Sequence, residues 1–145
     1  MFSCRIDDDL ELRLLEPRHA EELFQVVDEN RGDLRQWLPW VDSTRTPEAT
    51  RGFIQQSLMR FAEEETIVIG VWWNAKLSGV VEGKRDNLNH AMDVGYWLAG
   101  RARGRGVMTR SCQELIRHAF DGLGLQRVQI RCAEENRSSC RIAER

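Results

Sequence analysis

The stretch Asp93-Val94-Gly95-Tyr96-Trp97-Leu98-Ala99-Gly100-Arg101-Ala102-Arg103-Gly104-Arg105-Gly106-Val107-Met108-Thr109 changes character twice. Ala91–Leu98 (AMDVGYWL) is apolar and aromatic, as a strand is. Residues 100–106 then alternate glycine with arginine, broken only by Ala102. Beyond them Cys112, Leu115, Ile116, Ala119, Phe120 and Leu123 recur at i, i+3, i+4, i+7, i+8 and i+11, which predicts an amphipathic helix over 107–123. Gly124 suits the left-handed residue after it. A strand, a glycine-rich turn and a helix N-terminus make an anion site, because the first helical N–H groups have no intrahelical acceptor and carry partial positive charge. Glycine lets the backbone adopt positive φ and approach a ligand closely. The bland competitor is a tight turn and nothing more. The GxxxxGK[ST] phosphate loop is absent, and the dinucleotide fingerprint lacks its first-strand context and ribose-binding acid. Arg/Gly segments that bind RNA lie in disordered repeats, whereas this one is wedged between a strand and a helix.

Working outward, Arg127–Cys132 (RVQIRC) alternates as a strand, and the unit 91–98, 107–123, 126–132 is a crossover whose two strands can lie parallel. Upstream, Thr66–Trp73 (TIVIGVWW) and Leu77–Gly83 read as a hairpin across Asn74-Ala75-Lys76. Leu10–Leu15 alternates as a half-buried strand. Pro17 opens an amphipathic helix over 17–30 through Ala20, Leu23, Phe24 and Val27. Residues 33–38 suggest a short helix stopped by Pro39. Thr46-Pro47-Glu48 reads as a cap, a first-turn proline and a first-turn acid, with Phe53, Ile54, Leu58 and Phe61 as the buried face. A last helix is expected over 137–145. The order β-α-α-β-β-β-α-β-α makes this an α+β protein with a mixed sheet.

The bulk properties set the frame. The 145 residues, 41% hydrophobic and 30% charged, fit a single globular domain over 1–145. The net charge of −2 provides no bulk field for nucleic acid or membrane. Acids near the N-terminus (MFSCRIDDDLEL) stand where a signal peptide needs an apolar core, and no apolar run reaches membrane-spanning length, so a cytoplasmic protein is expected. Cys4, Cys112, Cys132 and Cys140 form no CxxC pair and no histidine sits at metal spacing from them, so free thiols and no metal are expected. His19, His90 and His118 are scattered and read as surface or helix-face residues. Residues 1–90 carry 11 Lys+Arg against 17 Asp+Glu, a net of −6, and residues 91–145 carry 10 Arg against 6 acids, a net of +4. That asymmetry suggests an anion site in the last third beside an acidic first part.

Arg101-x-x-Gly104-x-Gly106 resembles the [QR]xxGx[GA] acyl-CoA pyrophosphate motif of the GNAT superfamily of N-acetyltransferases. Asp93–Leu98 resembles the E-[IV]-G-Y-W-L strand of its RimL-like group, the ribosomal-protein serine N-acetyltransferases. Ala119-Phe120 with Leu123-Gly124-Leu125-x-Arg127-Val128 resembles that group's helix-to-strand passage. Asn136-Arg137-Ser138-Ser139 matches its N-x-x-S, and Leu34-Arg35-x-Trp37-Leu38-Pro39-Trp40-Val41 resembles its LRxWLPW segment. The resemblance covers essentially the whole chain. A lone RxxGxG is weak evidence, and the ordered set is specific.

The resemblance implies a GNAT-like acyl-CoA N-acyltransferase fold, a mixed twisted sheet flanked by helices. It implies acetyl-CoA as co-substrate, with backbone N–H groups from Arg103 to Met108 on the pyrophosphate. The implied cofactor set is Trp97, Leu98, Arg101, Arg103, Gly104, Arg105, Gly106, Val107, Met108, Thr109 and Asn136. Trp97 and Leu98 are expected to pair with the pantetheine arm, and Gly95-Tyr96 to lie where the strands splay. Asp93 stands at the position of the group's proposed general base, one methylene shorter than the glutamate, so a water relay is an alternative to direct proton transfer. Ser139 stands where the departing thiolate is protonated. Trp37, Trp40 and Tyr96 are expected at the acceptor pocket. On the residues alone, Asp93 also suits a solvated strand end, Asn136 and Ser139 a helix-capping pair, and the aromatic residues plain core.

The function implied is acetyl transfer to a primary amine, first the N-terminal α-amine of a ribosomal protein. The alternatives are a small amine or polyamine, and a CoA-binding module without turnover. The resemblance allows a homodimer and implies no nucleic-acid or membrane partner. Relatives continue past Ile142-Ala143-Glu144-Arg145 with a further strand pair, so the C-terminal strand pair is expected to be missing from these 145 residues. Val128 and Ile130 are then expected near an exposed edge.

Overall fold

The computed structural model describes residues 3–36 and 38–130. Its strands are β1 (Ser3–Arg5), β2 (Leu10–Leu14), β3 (Thr66–Trp73), β4 (Lys76–Asp86), β5 (Ala91–Leu98) and β6 (Arg127–Ile130). Its helices are α1 (Ala20–Glu29), α2 (Arg31–Leu34), α3 (Pro47–Ala62) and α4 (Val107–Arg117). The strands form one mixed sheet in the order β1-β2-β3-β4-β5-β6. All neighbours are antiparallel except β5 and β6, which the α4 crossover makes parallel as expected.

The sheet separates two cores. On one face Ile67, Ile69, Val71, Val81, Met92 and Val94 pack under Val107, Met108, Cys112 and Leu115 of α4. On the other, Val68, Trp72 and Val80 pack with Ala20, Leu23 and Val26 of α1 and Ile54 of α3. Period-two alternation in the strands sends successive side chains to opposite cores. The β3–β4 hairpin closes on Asn74 and Ala75, with φ of 51° and 65°. Those two left-handed residues make a turn whose twist matches the strands. Burial pushes the Cys112 thiol up to about 12, so it serves as a small core residue.

The structure departs from the sequence expectations in several places. β1 is added to the sheet edge, too short for periodicity to reveal. The helix expected from Pro17 starts as a 3-10 turn over Pro17–His19 before α1. His19 is buried rather than at the surface: its Nδ1 accepts the Glu16 N–H at 3.0 Å and its ring meets Trp72 edge-on. The short helix occupies Arg31–Leu34, and Pro39 opens a second 3-10 turn over Pro39–Ser43. In α3, Thr46 caps the Ala49 N–H as expected. Thr50, Ile54 and Ser57 are the buried residues, while Phe53 and Phe61 are 45% and 42% exposed. The seam at i, i+4, i+7 follows the sheet contact; Phe53 stands beside it, and Phe61 lies on its continuation in the last turn of the helix. α4 is regular to Arg117 and then widens into a π-type turn over His118–Gly122, where Leu123 N–H reaches back to the His118 carbonyl. The remainder of the strand expected to Cys132 and the helix expected over 137–145 lie outside the described residues.

Candidate active site

β5 leaves the sheet through the glycine-rich turn. Ala99 N–H donates to Ser78 O at 2.7 Å, a single 3-10 turn covers Gly100–Ala102, and α4 begins at Val107. Gly104 and Gly106 take φ of 76° and 70°, the left-handed region that disfavours a side chain. A Cβ at either position would meet no atom within 4 Å, so that face of the loop is open. Gly106 is the N-cap of α4 and provides no capping side chain. Among the described residues, the N–H groups of Gly104, Arg105, Gly106, Val107 and Met108 find no acceptor. They form a cradle of donors at the positive end of a helix, which is the chemistry an anionic phosphate requires.

The arginines of the loop divide into fasteners and one outward charge. Arg101 donates to Ser78 Oγ at 2.9 Å and to Leu77 O at 2.8 Å, tying the loop to the start of β4. Arg103 donates to Leu98 O at 3.3 Å and to Asp33 at 2.9 Å. Its own N–H goes to Gly100 O, so the cradle starts one residue later than the family resemblance implies. Arg105 is exposed and has no side-chain partner among the described residues. Arg110 grips the loop from α4: its Nε donates to Gly106 O at 3.2 Å and its guanidinium pairs with Asp7 and Asp9. Asn30 completes the fastening by accepting the Gly100 N–H at 3.0 Å.

The strand residues take up opposite faces. Asp93 lies opposite Lys84 of β4 and beside Gln129 of β6. Trp97 shares its face and approaches Trp40, the ring centres 6.4 Å apart. Tyr96 is on the other face, against the α4 core, and Leu98 is buried there. The structure therefore brings Trp40, Trp97 and Asp93 to one side of the sheet and sends Tyr96 to the other. The described β5–β6 pairing ends at Val94 and Ile130, immediately before Gly95. Thr109 lies in the first turn of α4. Trp37, Asn136 and Ser139 lie outside the described residues, as do Cys132 and Cys140.

Sequence reasoning missed Asn30, Asp33 and Arg110, which fasten the loop, and Glu82, which stands beside Gly95. Only Glu82 leaves a local signal, an acid inside an apolar strand. A separate cavity of about 330 Å³ lies between Leu12, Ile67 and Ile69 of the sheet and Leu115 of α4, and none of the predicted site residues lines it. Among the described residues no group of acids, histidines or cysteines could hold a metal ion, and no helix is long and apolar enough to cross a membrane.

Comparison with known proteins gives a consistent picture. Residues 9–145 match the acetyltransferase (GNAT) domain. YdaF of Bacillus subtilis, provisionally named a ribosomal N-acetyltransferase, is 32% identical over all of this chain and 80% of its own length. The ribosomal-protein-serine acetyltransferase of Escherichia coli is 28% identical over 99% of this chain and 80% of its own. A solved structure of RimL, a ribosomal L7/L12 alpha-N-protein acetyltransferase in complex with coenzyme A, superposes with a TM-score of 0.93 at 26% identity. It covers 98% of this chain, which covers 81% of it.

Proposed function

The chain belongs to the GNAT family of acetyltransferases, and from that premise we propose that it moves acetyl from acetyl-CoA to the N-terminal α-amine of a ribosomal protein. The observation that carries the cofactor half is the donor cradle over Gly104–Met108, with two left-handed glycines opening it to a pyrophosphate. The acceptor half rests on similarity to relatives named for ribosomal proteins.

Acetyl-CoA supplies a thioester carbonyl reactive towards amines and a thiolate that leaves readily. The work left to the protein is placement of two substrates and management of two protons. The cradle and Arg105 hold the diphosphate. The outer edge of β5 at Trp97 and Leu98 offers backbone groups to an extended arm. Asp93 takes the proton that the amine loses, directly or through a water. An α-amine has a pKa of about 7.7–8.0, so part of it is already neutral near neutral pH, and a mild base or a water relay suffices. The nitrogen forms its bond to the carbonyl carbon, the carbon–sulfur bond breaks, and the thiolate takes a proton, the role proposed for Ser139. Asn136, Trp37 and Trp40 complete the proposed set, with Tyr96 on the α4 face of the strand.

Acetyl-CoA binding by calorimetry, followed by thiol release with N-terminal peptides and polyamines, tests the reading. The intact chain is expected to bind acetyl-CoA and to release thiol fastest with a peptide amine. Gly104→Val, which forces a β-branched residue into positive φ, is expected to weaken acetyl-CoA binding at least about tenfold while thermal unfolding stays cooperative. Unchanged binding in that variant would remove the loop from the site. Faster release with spermidine would favour the small-amine reading, which the net charge of −6 over residues 1–90 also suits. Binding without release on any amine would leave a CoA-binding module.

A further inference from the structure

The sheet face that carries Asp93 holds a second carboxylate. Directly opposed residues of an antiparallel pair project from the same face. Val80, Glu82 and Lys84 of β4 therefore stand beside Trp97, Gly95 and Asp93 of β5. Val80 and Trp97 both join the core under α1 and α3, which identifies the side. Gly95 is exposed, and a Cβ built there would meet no atom within 4 Å. The position is a notch. Trp97, with Trp40 beside it, stands at one end, Asp93 at the other, and Glu82 forms the flank with Val68 of β3 behind it.

Glu82 is partly buried, and among the described residues its carboxylate has neither a hydrogen-bond nor an ion-pair partner. Lys84, two residues along the same face, makes no ion pair with it. Other partly buried acids are matched: Glu11 pairs with Arg13 and Glu114 with Arg117. Partial burial of an unmatched carboxylate is unfavourable, and an arriving cation offsets that cost. A primary amine is mainly an ammonium below its pKa, so the acceptor brings such a cation to this face.

We infer that Glu82 binds the protonated acceptor amine at the Gly95 notch, next to the carboxylate that removes its proton. The inference rests on the acyl-transfer reading and deepens it: the acceptor is recognised as a cation, and Glu82 sets that preference. The ammonium first pairs with Glu82. Its proton then passes to Asp93, and the neutral nitrogen is left facing the thioester. Glu82 is a binding residue in this scheme, and Asp93 keeps the proton-transfer role.

Steady-state kinetics on Glu82→Gln test the inference, with a synthetic peptide bearing an N-terminal serine and with spermidine. The KM for amine is expected to rise about tenfold, while the acetyl-CoA dissociation constant stays within about twofold. The same peptide with a trimethylated N-terminal nitrogen cannot be acetylated and keeps its charge, so it reports binding alone. Its inhibition constant is expected to weaken about tenfold in Glu82→Gln, and Glu82→Asp is expected to recover part of both losses. An unchanged amine KM and inhibition constant would overturn the inference while leaving acetyl transfer established. Loss of acetyl-CoA binding in both variants would also overturn it, because the residue would then be serving the fold. No acetyl transfer by the unmodified chain on either amine would overturn the acyl-transfer reading, and this inference with it.

Discussion

Gly104 and Gly106 were legible as left-handed turn residues because residue type alone states what the backbone can do there. Only glycine reaches φ near +70° without penalty, and both take that region. His19 shows the converse. A histidine in the first turn of an expected helix reads as a surface or helix-face residue, which leaves its burial open, and its ring is buried against Trp72. Burial, with Arg18 acting in the same direction, holds its imidazole below the ordinary value of 6.5. The unfolded chain therefore takes up this proton at a higher pH than the folded one. The stability His19 provides is complete above pH 6.5 and declines as pH falls from there towards the lowered folded value. His19→Asn keeps an acceptor for the Glu16 N–H and removes the titration. Its melting temperature is expected to vary less than that of the unmodified protein between about pH 7 and 5.5. Parallel melting curves for the two proteins across that window would show that His19 does not titrate on unfolding.

Among the elements, the glycine-rich loop is held by segments distant in sequence. Asn30 at the end of α1 accepts the Gly100 N–H, and Asp33 of α2 pairs with Arg103. Asn30→Ala leaves that N–H without its protein acceptor, a loss of about 1 kcal/mol. The acetyl-CoA dissociation constant is expected to rise about three- to tenfold by calorimetry. Asp33→Ala removes a pair whose side chains are 42% and 51% exposed, so its effect is expected to be smaller. Equal affinity in Asn30→Ala and the unmodified protein would mean that the loop holds its shape alone. The β3–β4 hairpin offers a separate test of stability. Ala75 sits at φ 65°, where a Cβ is unfavourable, and its turn type prefers Asn-Gly. Ala75→Gly is expected to stabilise the protein by about 0.5–1 kcal/mol, raising Tm by about 1–4 °C. A lower Tm would show that the entropy glycine adds to the unfolded chain outweighs the relief of strain.

Over the whole molecule, the mixed sheet and its parallel β5–β6 pair follow from patterns in the chain. β-branched runs mark the strands, glycine and proline mark their ends, and a helix between two strands imposes a crossover. The same local patterns located the glycine-rich, donor-lined turn, since strand, glycine loop and helix start are contiguous. They also supplied the resemblance that the domain match and the RimL superposition support. What they could not specify is which residues meet across the sheet. Phe53 was expected inside α3's buried face and stands outside it, because the sheet contact decides which stripe is covered. Glu82 joins Gly95 and Asp93 only through the register of β4 on β5. Asn30 and Asp33 reach the loop across about 70 positions of chain. By itself, then, the sequence determined the elements, their order and the donor-rich turn, because each depends on interactions within a few residues. Only the tertiary structure decided the fasteners of that turn, the burial of His19 and the pair of carboxylates beside one notch. Those depend on cross-strand register and helix packing, and the energies that set them belong to contacts between segments rather than to any one segment.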